Sequence, residues 1–415
     1  MNTMTKSPKT TIIEQALLVA ALKAFNTNRL PDMLQYKYAF MAENMFRFLR
    51  GTCHLFYQDL VTTDIPPSPN TWICGDLHLE NFGSFRGNNK QVYFDLNDFD
   101  EALLASACWE LLRLLTSISI AFKSLNIPVD EAKSMMKLFL TSYAKTLQLG
   151  KACYVEPETA TGIVYTFLTK AAERKNKEVL KNSTLRIKKL RSINLDLPQY
   201  FKLPPDLKQD ISDFIGQWLA KNNDGLRDYK VVDAAFRLAG TGSVGLKRYV
   251  ILLKNTNSNG RKYILLDMKQ AVASSLQPYV KITQPVWETE AVRIVAIGQR
   301  MQNVASSLLS ASIFKAEPFM IQEMQPVKDC IDFNLIKDRY QDVYGVIDDM
   351  GMLTASAQLR SSGRQGSAIA DELIAFGFDT EWQRELINIA LQKAAIVEKD
   401  YELFCAAYND GLFRV

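Results

Sequence analysis

Acidic and amide side chains are concentrated between residues 72 and 101, in a segment with a strand–turn–strand pattern. Asp76 and Asn81 lie near the start of this pattern, and Asp95 and Asp98 lie at its end. Phosphoryl transfer needs a carboxylate that orients a hydroxyl and hard oxygen ligands for Mg²⁺. The residue types predict Asp76 in the first role, and Asn81 with Asp95 or Asp98 in the second. An acidic β-hairpin or a Ca²⁺-like acidic loop is the alternative interpretation.

The same segment resembles a known catalytic loop. Residues 75–81, GDLHLEN, resemble the G-D-x-H-x-x-N loop of aminoglycoside and choline kinases, which are relatives of the protein kinases. Residues 98–101, DFDE, resemble the acidic motif that follows that loop, and residues 109–114 resemble the next helix. The resemblance implies that Asp76 and His78 belong to a catalytic loop.

Two aspartates are alternatives for the metal-binding acid. Counting forward from Asn81 with the spacing of small-molecule kinases reaches Asp95, whereas counting back from Glu110 reaches Asp98. We favour Asp98, because residues 98–101 match the kinase motif in type as well as in position. Asp95 is then expected to be a supporting acid or a ligand of a second metal.

A glycine-rich stretch, GTGSVG at 240–245, lies within a β-type region that begins near residue 231. A dinucleotide-binding fold needs a helix after such glycines. Residues 246–253 are instead a β-type run, so a β-hairpin that covers phosphates, as in kinases, fits the order better. A simple glycine hairpin is the alternative. The expected phosphate-binding residues are Gly240, Thr241, Gly242, Ser243 and Gly245.

Lys269 ends the strand that follows, after a hairpin turn predicted at 255–260. A lysine in that position matches the one that holds the α- and β-phosphates in kinases. The next predicted helix, from about 287 to 309, carries Glu288 and Glu290 in its first turn. Either glutamate is a possible partner of Lys269, although acids there also favour the helix dipole.

A further strand at 319–325 leads into Pro326. In kinases the backbone of such a hinge holds adenine, so the resemblance implies that Glu323 and Met324 contact the base.

The order of these parts is the reverse of the familiar kinase order, because the catalytic loop precedes the glycines and the lysine. A circular permutation explains this, and it is tolerable where chain termini lie close together at the surface.

The predicted regions are N-terminal helices at 1–60, the catalytic-loop part of a kinase-like C-lobe at 61–150, a mostly helical region with a basic run from Lys170 to Arg191 at 151–230, a nucleotide-binding N-lobe at 231–327, and helices that return to the C-lobe at 328–415.

The whole pattern resembles a bacterial family catalogued as domain of unknown function 2252, which is grouped with kinase-like folds. Two residues depart from the family pattern: Gln270 replaces a glutamate after the lysine, and Gln358 replaces a histidine, which implies altered activity or a different substrate. The matching segments are KYAFMAENMFRFLRG at 37–51, WICGDLHLENFG at 72–83, FDLNDFDE at 94–101, GTGSVGLKRYVILL at 240–253, IGQRMQ at 297–302 and FMIQEMQPVKD at 319–329.

Composition limits the alternatives. At 415 residues the chain is longer than one core usually serves. A net charge of +4 is too small to indicate nucleic-acid binding. Six cysteines without a C-x-x-C pair, and two histidines, argue against a zinc site and fit reduced thiols in the cytoplasm. No apolar run reaches the roughly 18 residues that a membrane span needs.

The sequence therefore predicts a two-lobed α+β protein of the protein-kinase type, with a helix-rich C-lobe and a small β-rich N-lobe. It is expected to bind ATP and Mg²⁺ between the lobes and to phosphorylate a hydroxyl of a small molecule or a protein. Three alternatives remain: AMP transfer from the same pocket with ATP in a flipped orientation, a pseudokinase that binds nucleotide without catalysis, and a helical scaffold with an acidic loop.

Overall fold

The structure, a computed structural model, describes residues 8–173, 176–187, 190–221, 226–257, 261–325 and 330–414. Outside the described residues lie Pro326, the end of the turn predicted at 255–260, and four residues of the basic run (Arg174, Lys175, Lys188 and Lys189). The helices are α1 (Pro8–Phe25), α2 (Pro31–Glu43), α3 (Met45–Gly51), α4 (Cys53–Leu60), α5 (Ala107–Ser124), α6 (Val129–Leu149), α7 (Gly162–Glu173), α8 (Asn176–Ser183), α9 (Pro205–Lys221), α10 (Glu290–Met301), α11 (Tyr340–Ser361), α12 (Ala370–Phe378) and α13 (Glu381–Asn409).

The strands are short except in one sheet, and together with the helices they confirm the mixed α+β class. They are β1 (Asn70–Ile73), β2 (Phe82–Arg86), β3 (Val92–Leu96), β4 (Leu103–Ser106), β5 (Thr184–Ile187), β6 (Leu190–Ile193), β7 (Tyr200–Phe201), β8 (Tyr229–Arg237), β9 (Arg248–Asn255), β10 (Tyr263–Gln270), β11 (Ser310–Phe314) and β12 (Glu317–Glu323).

The largest sheet has six antiparallel strands in the order β11-β12-β10-β9-β8-β7. Alternation along β10 gives it two different faces. Ile264, Leu266 and Met268 pack on helix α9 in a separate apolar cluster. Asp267 and Lys269 alternate with these residues and therefore project from the opposite face of β10.

The acidic segment, residues 72–101, lies against a helical body formed mainly by α5, α6 and α11. Two small antiparallel pairs, β1 with β4 and β2 with β3, flank the turn at 75–81. Helices α6 and α11 approach closely at Gly351, where a Cβ atom would lie 2.5 Å from the Phe139 carbonyl oxygen. The helical body thus forms the base on which the acidic segment rests.

The first three helices pack on the last one. Leu22, Met41 and Phe48 share an apolar cluster with Phe404 and Ala407 of α13. Their side chains are almost fully buried. Segments separated by more than 300 residues in sequence therefore form one core.

Several predicted elements differ from the observed ones. The helix expected at 287–309 is shorter, because Thr289 caps it through a hydrogen bond from the Val292 N–H at 3.2 Å and it ends at Met301. The region 151–230 also contains strands β5, β6 and β7, where mostly helix was expected. Strand β7 forms because it can pair with the edge of β8, a partner that lies farther along the chain.

Among the described residues, none of the helices combines the length and the apolar character that crossing a membrane requires.

Candidate functional site

The acidic segment and the glycine loop meet at a small cavity of about 60 Å³. Its walls bring together side chains from residues near 80 and backbone from residues near 240, as the sequence predicted for a shared cleft. The predicted residues that line it are Asp76, His78, Asn81, Asp98, Gly240, Gly242 and Ser243.

The turn that presents Asp76 depends on a glycine and a buried glutamate. Gly75 has φ +83°, and a Cβ atom there would overlap the Glu101 carbonyl group. The carboxylate of Glu110 accepts a hydrogen bond from the Cys74 N–H. Burial raises the pKa of Glu110 to about 7, although that hydrogen bond and the Gln358 amide oppose the rise. The residue that precedes Gly75 is therefore hydrogen-bonded to a titratable group, the Glu110 carboxyl.

Asp76 itself is held by an arginine that the sequence analysis did not assign. Arg113 donates to one Asp76 carboxylate oxygen from Nε at 3.0 Å and from Nη2 at 2.7 Å. Nη2 also donates to the Leu49 carbonyl at 2.7 Å, and the Arg113 side chain is fully buried. These contacts fix the orientation of a carboxylate that is itself 20% exposed.

Asn81 connects the turn to the acidic segment. Its Oδ1 accepts hydrogen bonds from the N–H groups of Asn97 at 3.2 Å and Asp98 at 2.8 Å. Its Nδ2 donates to the carbonyls of Asp76 and Asp98, both at 3.2 Å. Because two N–H groups already occupy its oxygen, Asn81 acts here as a brace between the two segments, whereas the sequence predicted a metal ligand.

Lys269 reaches the acidic segment from strand β10. Its ammonium group forms an ion pair with Asp100 and lies 3.9 Å from Asp98. Burial and the neighbouring Asp98 raise the pKa of Asp100, and Lys269 opposes that rise. Lys269, Asp98, Asp100 and Arg248 line a second cavity of about 90 Å³.

Neither predicted glutamate is the partner of Lys269 among the described residues. Glu288 is exposed, and the Glu290 carboxylate pairs with Arg293 at 2.5 Å. Arg293 in turn donates to the Asp100 carbonyl at 2.8 Å. It also bonds the carbonyls of Val272, at 3.0 Å, and Ala102. Helix α10 therefore contacts the acidic segment through an arginine, and the prediction of a Lys269–glutamate pair was wrong.

Of the two candidate metal acids, only Asp98 faces the cleft. Asp95 is buried, accepts a hydrogen bond from the Leu96 N–H at 2.9 Å, and lies 3.6 Å from Arg360. Burial raises its pKa while Arg360 opposes the rise. Because Asp95 lines neither cavity, its predicted role as a metal ligand has no geometric support.

His78 lines the smaller cavity but is otherwise packed as a buried aromatic side chain. Its ring meets that of Phe46 edge-on, with centroids 5.7 Å apart. Burial, with Arg50 and Arg113 nearby, lowers its pKa well below the ordinary value. The imidazole is thus neutral at physiological pH, and its Nδ1 atom has no hydrogen-bond partner in the described structure.

The predicted hinge residues lie in a different place from the acid cluster. Glu323 and Met324 line a separate cavity of about 830 Å³. The Met324 N–H is already bonded to the Leu265 carbonyl at 2.8 Å, and Glu323 accepts from the Ser307 hydroxyl at 3.0 Å. Leu265 precedes Lys269 by four residues on β10, which corresponds to roughly 13 Å along the strand. The structure therefore separates these residues from the lysine instead of joining them in one pocket.

A buried ion triad lies between those two places. Asp267 is paired with Arg237 at 2.9 Å and with Arg248, and it is 2% exposed. Burial raises the pKa of Asp267, but the two guanidinium groups outweigh burial and hold it well below the usual range. The sheet face next to Lys269 is therefore charged and fully paired.

The two departures from the family pattern lie in different surroundings. Gln270 lines the smaller cavity and accepts a hydrogen bond from the Lys247 N–H at 3.1 Å. Gln358 is fully buried behind the turn at 75–81. Its Nε2 donates to Glu110 at 3.2 Å, and its Oε1 accepts from the Tyr143 hydroxyl. Gln358 lines neither small cavity, so its effect on the site is through Glu110.

The described residues contain no group of three histidine, cysteine, aspartate or glutamate side chains arranged around a metal ion. Mg²⁺ commonly takes one or two protein carboxylates and completes its shell with water and substrate phosphates. The carboxylates of Asp98 and Asp100 fit that partial donor set.

Comparison with known proteins gives one match. The family model described as "Uncharacterized protein conserved in bacteria (DUF2252)" matches residues 29–407. No curated protein matches, and no solved structure matches.

Proposed function

The chain belongs to the DUF2252 family, and we propose that it binds ATP with Mg²⁺ and transfers the γ-phosphoryl group to a hydroxyl. One observation carries this proposal: a carboxylate turn and a glycine loop, more than 150 residues apart in sequence, line one cavity. The adjoining cavity adds a buried lysine next to two carboxylates. Carboxylates for a metal, a lysine for phosphates and glycine backbone above them are the parts that phosphoryl transfer uses.

Each residue has a distinct role in this proposal. Asp76 orients the acceptor hydroxyl and receives its proton, and Arg113 keeps the carboxylate pointed into the cleft. Lys269 holds the phosphates and would exchange its present partner, Asp100, for them. Asp98 and Asp100 hold the metal, which supplies charge neutralisation at the transferred group.

We propose for this chain a kinase-like fold in circularly permuted order. The six-stranded sheet with the glycine loop and Lys269 would be the nucleotide-binding lobe, and the helical body that carries Asp76 would be the other. The support is the contact between the two parts at Lys269 and Asp98. The order of the segments along the chain does not alter which side chains meet.

The cleft has to open before it can accept a nucleotide. The two cavities at the site measure about 60 and 90 Å³, whereas pockets for ligands of that size are roughly 300–1,000 Å³. The Lys269–Asp100 ion pair closes it from the sheet side, while Arg293 of helix α10 bonds the Asp100 carbonyl. Binding therefore requires breaking ion pairs that phosphates and metal can replace.

Thermal unfolding with and without ATP and Mg²⁺ tests the binding step, because a ligand that binds only the folded state raises Tm. ATP consumption is then screened over aminoglycosides, choline-like alcohols, sugars and proteins. Asp76→Asn is the matched variant, since it keeps the shape of the side chain and should keep the Tm shift while losing turnover. Absence of any Tm shift with the wild-type chain contradicts the proposal, and a shift without turnover identifies a pseudokinase.

The buried triad favours a second candidate, transfer of AMP. The adenine of ATP, if placed between Lys269 and the hinge residues, would lie against the charged side chains of Arg237, Asp267 and Arg248. An adenine site is usually apolar. Anionic phosphates suit the cavity that Arg248 shares with Lys269 better than a purine does. A flipped nucleotide, with its terminal phosphates in this cavity, would expose the α-phosphate to the acceptor.

Radiolabelled ATP separates the two reactions. Label in the γ-position reaches the acceptor only in phosphoryl transfer, and label in the α-position reaches it only in AMP transfer. Both labels are tested with the wild-type chain and with Asp76→Asn. Transfer of γ-label alone would eliminate the second candidate.

A further inference from the structure

The glycine loop, residues 239–247, is fastened through its carbonyl groups to the N-terminal helices. Arg29, in the connection between α1 and α2, donates from Nη1 to the carbonyls of Gly242 at 2.8 Å and Val244 at 2.6 Å. Lys37 of α2 donates from Nζ to Gly242 at 2.9 Å and to Thr241 at 3.3 Å. These contacts cross more than 200 residues of sequence.

Two backbone hydrogen bonds complete the same arrangement. The Leu30 N–H donates to the Gly245 carbonyl at 2.8 Å, and the Leu246 N–H donates to the Ser243 carbonyl at 3.1 Å. The carbonyls of residues 241–245 are therefore all bonded. In the described part of the chain, by contrast, the N–H groups of residues 240–244 donate no hydrogen bond.

The carbonyl groups and the N–H groups of the loop therefore differ in their hydrogen bonding. Arg29 and Lys37 bond the carbonyls of residues 241, 242 and 244, and backbone N–H groups bond those of residues 243 and 245, whereas the N–H groups of residues 240–244 donate none of the described hydrogen bonds. Gly240, Gly242 and Ser243 line the cavity that also holds Asp76 and Asn81. Successive N–H groups in a turn form a concavity that binds anions, because their partial positive charges add.

Three features of the loop depend on glycine. Gly240 and Gly245 have φ of +73° and +93°, which side chains rarely adopt. A Cβ atom at Gly242 would lie 3.2 Å from the Arg50 carbonyl oxygen of α3. The loop is thus pressed against α3 at Gly242, and the two cations draw it toward the N-terminal helices.

We propose that Arg29 and Lys37 are positioning residues for a polyphosphate-bearing ligand, because they hold the loop carbonyls and leave the loop N–H groups free for phosphate oxygens. This inference rests on the proposed function, since the polyphosphate is that of the nucleotide. It makes the N-terminal helices part of the ligand site: Arg29 also lines the cavity beside the loop, whereas Lys37 bonds the loop carbonyls and does not line the cavity.

The variants Arg29→Met and Lys37→Met remove the donors and keep most of the side-chain volume. Lys393→Met is the matched control, because Lys393 is also buried and donates to oxygens, those of Asp59 and Thr63, in a different place. Dissociation constants are measured by calorimetry for ATP with Mg²⁺ and for inorganic tripolyphosphate. We expect each loop variant to bind both ligands about tenfold more weakly and the control to change less than about twofold.

Hydrogen exchange of the loop gives a readout that general destabilisation would not. The amides of Leu30 and Leu246, which donate to the loop carbonyls of Gly245 and Ser243, should exchange faster in the two loop variants and at the wild-type rate in Lys393→Met, and Arg29→Lys should recover part of the affinity. Equal affinity in wild type and loop variants overturns the inference while leaving the proposed function intact. An equal loss in the control also overturns it, as does a wild-type chain that binds neither ligand. Tripolyphosphate binding without ATP turnover contradicts the proposed function alone.

Discussion

Arg113 places two of its nitrogen atoms within 3.0 Å of a single oxygen of Asp76. The guanidinium group is fully buried while the carboxylate reaches the cleft, so the pair connects the core of helix α5 to the site. Its geometry fixes the orientation of the Asp76 carboxylate. It also makes Arg113 costly to remove.

Arg113→Met should reduce the free energy of unfolding by about 3 kcal/mol, because breaking a buried pair leaves Asp76 and the Leu49 carbonyl without their donor. Urea unfolding at neutral pH measures the change. Arg47→Met is the control, since the ion pair of Arg47 with Glu43 is exposed and such pairs contribute little to stability. A loss for Arg113→Met no larger than that for Arg47→Met would contradict the structural role assigned to Arg113.

Asp76→Asn should lower turnover by about a hundredfold or more, because an amide cannot accept the proton of the acceptor hydroxyl. Its dissociation constant for ATP with Mg²⁺ should change little, since Asp76 is not assigned to the phosphates or the metal. Steady-state kinetics and calorimetry measure the two quantities. Retention of wild-type turnover would exclude Asp76 as the base.

Glu110 should make stability depend on pH. Its pKa is about 7 in the folded chain and 4.5 as an isolated group, so the folded state binds the extra proton between these values. Its contribution is therefore complete below about pH 4.5 and is lost as pH rises through about 7, by roughly 3 kcal/mol in total.

Glu110→Gln should remove that dependence, because the amide does not titrate in this range. The measurement is urea unfolding of both chains at several values from about pH 5 to about pH 8. Burial also raises the pKa of Asp349 to about 7, so only the difference between the two chains reports on Glu110. Parallel pH profiles for wild type and variant would refute the assignment.

Arg293→Met should loosen the acidic segment, since Arg293 bonds the carbonyls of Asp100, Ala102 and Val272. We expect a loss of unfolding free energy of roughly 3 kcal/mol and weaker binding of ATP with Mg²⁺. Glu290→Gln serves as the control, because it leaves those three carbonyl contacts in place. If Glu290→Gln loses as much affinity for ATP with Mg²⁺ as Arg293→Met does, the bonds from Arg293 to the three carbonyls do not account for the loss.

The parts of the site that depend on one local pattern were predictable. Gly75 with Asp76, the glycines at 240–245 and Lys269 each lie in a short segment whose strand and turn residues define its conformation. The strand after the glycines, β9, was predicted correctly from its β-type residues. The mixed α+β class followed from the same alternation between strand-type and helix-type segments.

The residues that brace the site were not predictable in the same way. Arg29, Lys37 and Arg113 act on atoms 37 to 215 positions away, and a basic side chain on a helix usually points to solvent. One signal was present: Arg113 interrupts an apolar run between Leu111 and Leu115 on a buried helix. An isolated charge on such a face needs a buried partner, and Asp76 is that partner.

The choice among acids also required three-dimensional information. Glu290 and Arg293 lie on one face of α10, and the sequence could not tell that the arginine, and not the glutamate, would reach the acidic segment. Asp95 and Asp98 are only three residues apart, yet strand β3 buries the first and the bend after it exposes the second. A shift of a few residues at a strand end decides which carboxylate meets solvent.

The packing of α1, α2 and α3 on α13 has a consequence for synthesis on the ribosome. The apolar faces of α1, α2 and α3 have their partner in α13, more than 300 residues later in the chain, so they remain uncovered while those residues are translated. Chaperones that shield exposed apolar segments would act on them during that interval. A nascent chain that stops before residue 381 would contain every side chain for which a catalytic role is proposed above. It would still lack α13, on which α1, α2 and α3 pack.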